Sequence, residues 1–168
     1  VINYDSLHYI KNRDEFLPIP GSFEAMARLT KAGFRISVAT NQSGVARGLY
    51  TEETLQDIHA KMIDLAAAHG AEIQAITYCL HMPTAGCACR KPAPGMLHAL
   101  ATKLGLDDLD TVPFVGDRVS DIQAARAAGA DPFLVLSQMT DREGLRQYPE
   151  VPMFSSLAEW TEAWLLKQ

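Results

Sequence analysis

The chain has no apolar run of the roughly 18 residues needed to cross a bilayer. Its opening, Val1-Ile2-Asn3-Tyr4-Asp5-Ser6, lacks the basic and apolar regions of a secretion signal. Positive charge is not in excess either: 15 Lys and Arg against 20 Asp and Glu give a formal net charge of −5. Without a basic field a chain is a poor partner for a nucleic-acid backbone, whereas a few local donors suffice to bind a small anion. These absences lead us to expect a soluble, cytoplasmic protein with no membrane and no nucleic-acid partner. Cysteine is scarce as well. There are three, an odd number that argues against a disulfide framework, and all of them fall between positions 79 and 89.

What is present suits one compact α/β domain over residues 1–168. Hydrophobic residues make up 48% of the chain and charged residues 21%, enough of each for a core and a solvated surface. Short apolar runs at Phe34–Ala39, Ile73–Cys79, Val112–Val115 and Phe133–Leu136 alternate with helical patterns, the signature of βαβ units around a parallel sheet. Leu55, Ile58, Met62 and Leu65 recur at spacings of three and four and predict an amphipathic helix over Thr51–His69, with Thr51 as its N-cap. Further helices are expected over Ser22–Ala32, from Pro94 to Leu104 with Gly105 closing it, from a capping box at Ser120–Gln123 to Gly129, and over Ser156–Leu166.

The three cysteines stand in the pattern Cys79-x-His81, then Cys87-x-Cys89, inside the stretch CLHMPTAGCACRKP. Three thiolates and an imidazole in a loop containing Pro and Gly suit a tetrahedral Zn²⁺, and with four ligands no position is left open for chemistry. The ion would be structural, pinning a loop with too few apolar residues to order itself. The alternatives are three ordinary thiols beside a bystander histidine, or a disulfide. Three other polar segments follow apolar runs at predicted carboxyl ends of strands, the edge where open α/β sheets bind ligands. They are Thr40-Asn41-Gln42-Ser43-Gly44, Arg90-Lys91-Pro92 and Gly116-Asp117-Arg118-Val119-Ser120-Asp121. Each alone reads as a turn, a cap or a solvated surface; together they hold hydroxyl and amide donors, a cation and a carboxylate for Mg²⁺, the inventory of phosphoryl transfer.

In that order, these segments resemble the haloacid dehalogenase superfamily of phosphatases, and within it the D-glycero-D-manno-heptose 1,7-bisphosphate phosphatases. Histidinol-phosphate phosphatase is a near relative. The resemblance runs from Val1-Ile2-Asn3 to Val115-Gly116-Asp117, and the zinc loop joined to Arg90-Lys91-Pro92 is its most specific part. It implies a three-layer, doubly wound parallel sheet with no separate cap domain and a zinc-stabilised loop at the rim. It implies a monomer that uses Mg²⁺ and Zn²⁺ and hydrolyses the C7 phosphate of a phosphorylated sugar, heptose 1,7-bisphosphate, in a pathway feeding lipopolysaccharide or cell-surface glycan synthesis.

By the same resemblance, Thr40 and Asn41 bind the transferring phosphoryl group and Lys91 neutralises its charge. Asp117 coordinates Mg²⁺ with Arg118 beside it, and Asp121 occupies the motif's second acidic position. Asp5, Ser6, Leu7, His8, Gln42, Ser43 and Arg90 recognise the rest of the substrate. Cys79, His81, Cys87 and Cys89 hold the zinc.

The family's nucleophile and general acid/base are an Asp-x-Asp pair placed directly ahead of the stretch matching Ile2-Asn3. No such pair precedes Ile2 among these residues, and Asp5, which follows Asn3, matches a substrate-loop position. The expectation is therefore an N-terminally incomplete phosphatase domain. Its first, central strand, which belongs between the strands ending at Ala39 and Val115, would be missing, and the chain as it stands would not turn over substrate. A histidinol-phosphate phosphatase and a non-catalytic zinc-binding module are the competing readings.

Overall fold

The segment ISVATN alternates between two faces: Ile36 and Val38 pack on one core cluster and Ala39 on another, as a strand buried on both sides must. In the computed structural model, which describes all 168 residues, it forms β1 (Ile36–Asn41) and pairs in parallel with β2 (Ile73–Cys79). A second parallel sheet runs in the order β3 (Pro113–Gly116), β4 (Asp131–Val135), β5 (Met153–Phe154). β1 and β3 share no ladder, so each is hydrogen-bonded along one edge only. The sheet is thus divided where the expected strand order puts the central strand. β2 has the expected bounds; β4 starts two residues earlier than Phe133 because its ladder with β3 extends to the Pro113–Asp131 pair. β5 was not expected, since two residues are too few for an alternation to register.

Helices cover both faces. Helices α1 (Ser22–Lys31), α2 (Glu52–Ala68) and α5 (Leu157–Leu165) contribute Phe23, Met26, Ile58, Met62 and Trp160 to the larger cluster. Helices α3 (Gly95–Leu104) and α4 (Val119–Ala128) contribute Met96, Leu97, Ala124 and Ala125 to the cluster on the other face. This is the three-layer arrangement, with loops and no separate cap domain over the strand ends. No helix is long and apolar enough to cross a membrane.

The helix ends follow local chemistry. Thr51 caps α2 by accepting from the Thr54 N–H at 3.1 Å, and Glu52 and Glu53 sit in its first turn, on the favourable end of the dipole. Gly105 and Gly129 close α3 and α4 in the left-handed region, at φ 67° and 82°. The capping box expected at Ser120–Gln123 is shifted. α4 begins at Val119, its N-cap is Arg118, and the returning side chain is Asp121, whose Oδ2 accepts from the Arg118 N–H at 3.0 Å.

One ionisable group is spent inside this framework. His59 on α2 is buried against the Tyr78 ring, at 5.6 Å between centroids, and burial pushes its pKa below the ordinary 6.5. The folded protein therefore keeps His59 neutral while the unfolded chain takes up a proton. Its contribution to stability is complete above pH 6.5 and falls as the pH drops below that value. Urea titrations of the parent at pH 7 and pH 5 should show a loss of stability that is smaller in His59→Leu; an identical loss in both proteins would show that His59 does not carry the effect.

Candidate active site and metal loop

The carboxyl ends of β1, β2 and β3 open on a cavity of about 1230 Å³. Thr40, Lys91 and Asp117, which come from three separate segments, all line it. At its centre is the Lys91 ammonium. Lys91 Nζ donates to Ala39 O of β1 at 3.0 Å, lies 2.7 Å from Asp121 Oδ1, and sits 5.6 Å from the centre of the Phe114 ring of β3. Asp121 is only 4% exposed, and its other oxygen accepts from the backbone N–H groups of Asp117 and Arg118, both at 3.0 Å. The carboxylate is thus fully committed: one oxygen fixes the lysine and the other shapes the turn carrying Asp117. Gly116 permits this approach, because a Cβ there would lie 2.2 Å from Asp121 Cβ.

Asp117 is held from the far side. Its Oδ2 accepts from Ser137 Oγ at 2.7 Å and its carbonyl from Thr140 Oγ1 at 2.7 Å, while Oδ1 has no protein donor. One free carboxylate oxygen facing a polar cavity is a suitable anchor for Mg²⁺, which commonly takes one or two carboxylates and completes its shell with water and phosphate oxygens. Thr40 stands at the end of a relay. Tyr50 donates to Gln42 Oε1 at 2.5 Å and Gln42 Nε2 donates to Thr40 Oγ1 at 2.9 Å, which leaves the Thr40 hydroxyl proton free for an anion. Burial raises the Tyr50 pKa above its ordinary value, so the phenol stays a donor.

Asn41 also reaches the lysine. Its Nδ2 donates to Lys91 O at 3.2 Å and its Oδ1 accepts from the Lys91 N–H at 3.1 Å. These two bonds make Asn41 a positioning residue for Lys91, and the second N–H of its amide is left over on a residue that lines the cavity. Asp5, Ser6, Leu7, Gln42, Ser43, Arg90 and Arg118 line the cavity as expected, and Asp5 forms an ion pair with Arg118. His8 does not line it; its backbone N–H donates to Ser6 Oγ and its carbonyl accepts from Lys11 Nζ in the exposed loop. Tyr50, Ser137 and Thr140 escaped the sequence reading because no spacing links them to the motifs. A weak signal existed only for Tyr50, an aromatic shortly after Gly44, where a Cβ would lie 2.2 Å from its ring.

The metal loop is assembled from the end of β2 and the segment that follows. Cys79 Sγ lies 3.4 Å from His81 Nδ1, 3.7 Å from Cys87 Sγ and 2.9 Å from Cys89 Sγ. Cys89 Sγ is 3.6 Å from Cys87 Sγ and 3.2 Å from His81 Nδ1, and all four ligand atoms fall within 4.8 Å of one another. Sulfur and nitrogen ligands around a tetrahedral Zn²⁺ stand roughly 3.5–3.8 Å apart, wider than the 2.9 Å Cys79–Cys89 pair but close to most of these contacts, and three thiols with an imidazole are a donor set that fits that ion. The thiols differ in acidity: the Arg90 backbone N–H holds Cys87 down at about 6, and burial among the other sulfurs pushes Cys89 up to about 12. Three crowded sulfurs cannot all ionise alone, and a divalent cation removes that conflict.

Residues 88–160 match the family model described as HAD-hydrolase-like. The D-glycero-beta-D-manno-heptose-1,7-bisphosphate 7-phosphatase of Pseudomonas putida is 49% identical over 159 residues, covering 94% of this chain and 90% of that protein. The enzyme of the same name from Pseudomonas aeruginosa is 51% identical over 135 residues, covering 80% of this chain and 75% of its own. Among solved structures, D,D-heptose 1,7-bisphosphate phosphatase from Bordetella bronchiseptica, complexed with magnesium and phosphate, superposes with a TM-score of 0.91 at 44% identity, covering 100% of this chain and 94% of that one.

Two outcomes follow for the site as a structure. Asp121→Ala strands the Lys91 ammonium, 12% exposed, without its carboxylate, and should cost about 3–5 kcal/mol in chemical denaturation, as removal of one partner of a buried pair does; a cost under about 1 kcal/mol would contradict the pairing. Metal analysis of the purified chain should find one zinc per molecule, lost in the Cys87→Ser, Cys89→Ser double variant; equal zinc in both would remove the assignment.

Proposed function

The chain belongs to the heptose 1,7-bisphosphate phosphatase family of haloacid-dehalogenase-like hydrolases, and we propose on that basis that its cavity binds heptose 1,7-bisphosphate and serves hydrolysis of the C7 phosphate ester. The single observation that carries this reading is the convergence of Thr40, Lys91 and Asp117, from three separate segments of the chain, on one cavity. Lys91 has three N–H donors, of which two are used on Ala39 O and Asp121, and the third is left for a phosphate oxygen. Thr40 offers the terminal proton of the Tyr50–Gln42 relay to another oxygen. Asp117 Oδ1 would hold Mg²⁺, which when bound neutralises charge on the phosphoryl group. The donors are fixed before the anion arrives, so little reorganisation is needed as charge develops.

Attack on phosphorus and protonation of the departing C7 oxygen need two further carboxylates. The three that line the cavity are already engaged: Asp5 with Arg118, Asp121 with Lys91 and Asp117 with Ser137. In the family these roles belong to the Asp-x-Asp pair ahead of the Ile2-Asn3 stretch, while Asn41 positions Lys91 and keeps one amide N–H for the phosphoryl group. The zinc loop would order residues 80–94 and set Arg90 and Lys91 at the cavity rim.

The decisive experiment gives the chain an apolar segment ending in Asp-Arg-Asp-Gly ahead of Val1 and measures magnesium-dependent phosphate release. Heptose 1,7-bisphosphate should be hydrolysed with kcat/KM well above that for histidinol phosphate, and Lys91→Ala should lower it by about 10²–10³-fold. Equal or greater turnover of histidinol phosphate would replace the substrate assignment, and no release from either would sink the phosphatase reading.

A further inference from the structure

A sugar bisphosphate carries a second dianion that Thr40, Lys91 and Asp117 do not serve. Resting on the phosphate-site reading above, we propose that Arg142 is a specificity-determining residue that binds the second, non-reacting phosphate. Charge bookkeeping on the cavity wall points to it. Four cationic side chains line the cavity, Arg90, Lys91, Arg118 and Arg142, against three carboxylates, Asp5, Asp117 and Asp121, in a chain whose net charge is −5. Two of the four cations are neutralised in place, Lys91 by Asp121 and Arg118 by Asp5. Arg90 lends one N–H to His81 O at 3.4 Å on the metal loop. Arg142 forms no ion pair and its guanidinium donates to no protein acceptor, so all five of its N–H donors remain for an outside anion.

Exposure alone would make Arg142 an ordinary solvated side chain; the loop that carries it makes the difference. Residues 137–142 leave β4 and are tied onto the reaction centre itself. Ser137 Oγ donates to Asp117 Oδ2, Thr140 Oγ1 donates to Asp117 O, and the Ser137 N–H donates back to Thr140 Oγ1 at 2.9 Å. At the next residue, Asp141 Oδ1 accepts from the Gly144 N–H at 3.0 Å and fixes the exit into the short turn of helix at Gly144–Gln147. Arg142 is therefore delivered from a braced loop on the Asp117 side of the cavity, while Arg90 is delivered by the metal loop. A guanidinium fork carried by a braced loop at the cavity wall is suited to reaching a second phosphate while the first occupies the Thr40–Lys91 end, and so to separating a bisphosphate from a monophosphate.

The test measures binding and needs no turnover. Calorimetric titrations of the magnesium-loaded chain with inorganic phosphate, glucose 6-phosphate and glucose 1,6-bisphosphate give the preference for two phosphates over one. The parent should favour the bisphosphate. Arg142→Ala should lower the ratio of bisphosphate to inorganic phosphate affinity by about tenfold, the loss of one charge-assisted phosphate contact, and Arg142→Lys should restore part of it. An unchanged ratio in Arg142→Ala, or a ratio abolished by Arg90→Ala alone, would overturn the assignment to Arg142. Failure of the parent to bind inorganic phosphate would instead overturn the phosphate-site reading on which it rests.

Discussion

A lysine ammonium in a largely dry place can keep its charge only if something nearby compensates it, and in this protein that constraint ties together elements that the chain keeps apart. Lys91 meets Asp121 at 2.7 Å, Ala39 O at 3.0 Å and the Phe114 ring. Those contacts come from α4, β1 and β3. The two sheets share no ladder, so this amine is one of the polar connections between them. Asp121 extends the connection through its second oxygen to the turn that aims Asp117. Burial of such a pair is not in itself a source of stability, since desolvation offsets the attraction. Its value lies in position: one buried carboxylate sets both the Lys91 cation and the turn that carries the Asp117 carboxylate.

The loop at residues 80–94 depends on two kinds of tether. At one end the four soft ligands gather around a common centre. At the other, the reciprocal pair between the Asn41 carboxamide and the Lys91 peptide fastens it to the end of β1. Gly95 completes the fit, because a Cβ there would lie 2.3 Å from Ala88 O. A loop so polar gains little from burying apolar surface, and metal coordination with side-chain hydrogen bonds replaces that driving force.

Around the cavity most donors are oriented before any anion arrives. Ser137 holds one oxygen of Asp117 and leaves the other open; the Tyr50–Gln42 relay leaves Thr40 with one proton to give. The acidic net charge of the chain sets no obstacle, because fields in a lined cavity follow the nearest charges more than the sum over the surface.

The order of elements was legible because helical and strand periodicities survive in short segments: β2 and the Thr51 cap stand where the spacing puts them. The grouping of Cys79, His81, Cys87 and Cys89 was legible too, since ligands within eleven residues meet by local folding alone. The sequence by itself also determined which residue types could serve a phosphate: a hydroxyl at Thr40, a cation at Lys91, a carboxylate at Asp117. Their use was decided only by tertiary structure. Nothing local tells that Asn41 pairs with the Lys91 peptide, that Asp121 is a buried hub, that Ser137 and Thr140 brace Asp117, or that His8 stays out of the cavity lining. These are contacts across 20 to 50 positions of chain, fixed by strand crossover and helix packing, and hydrogen-bond partners at that distance leave no periodic trace in the residues between them.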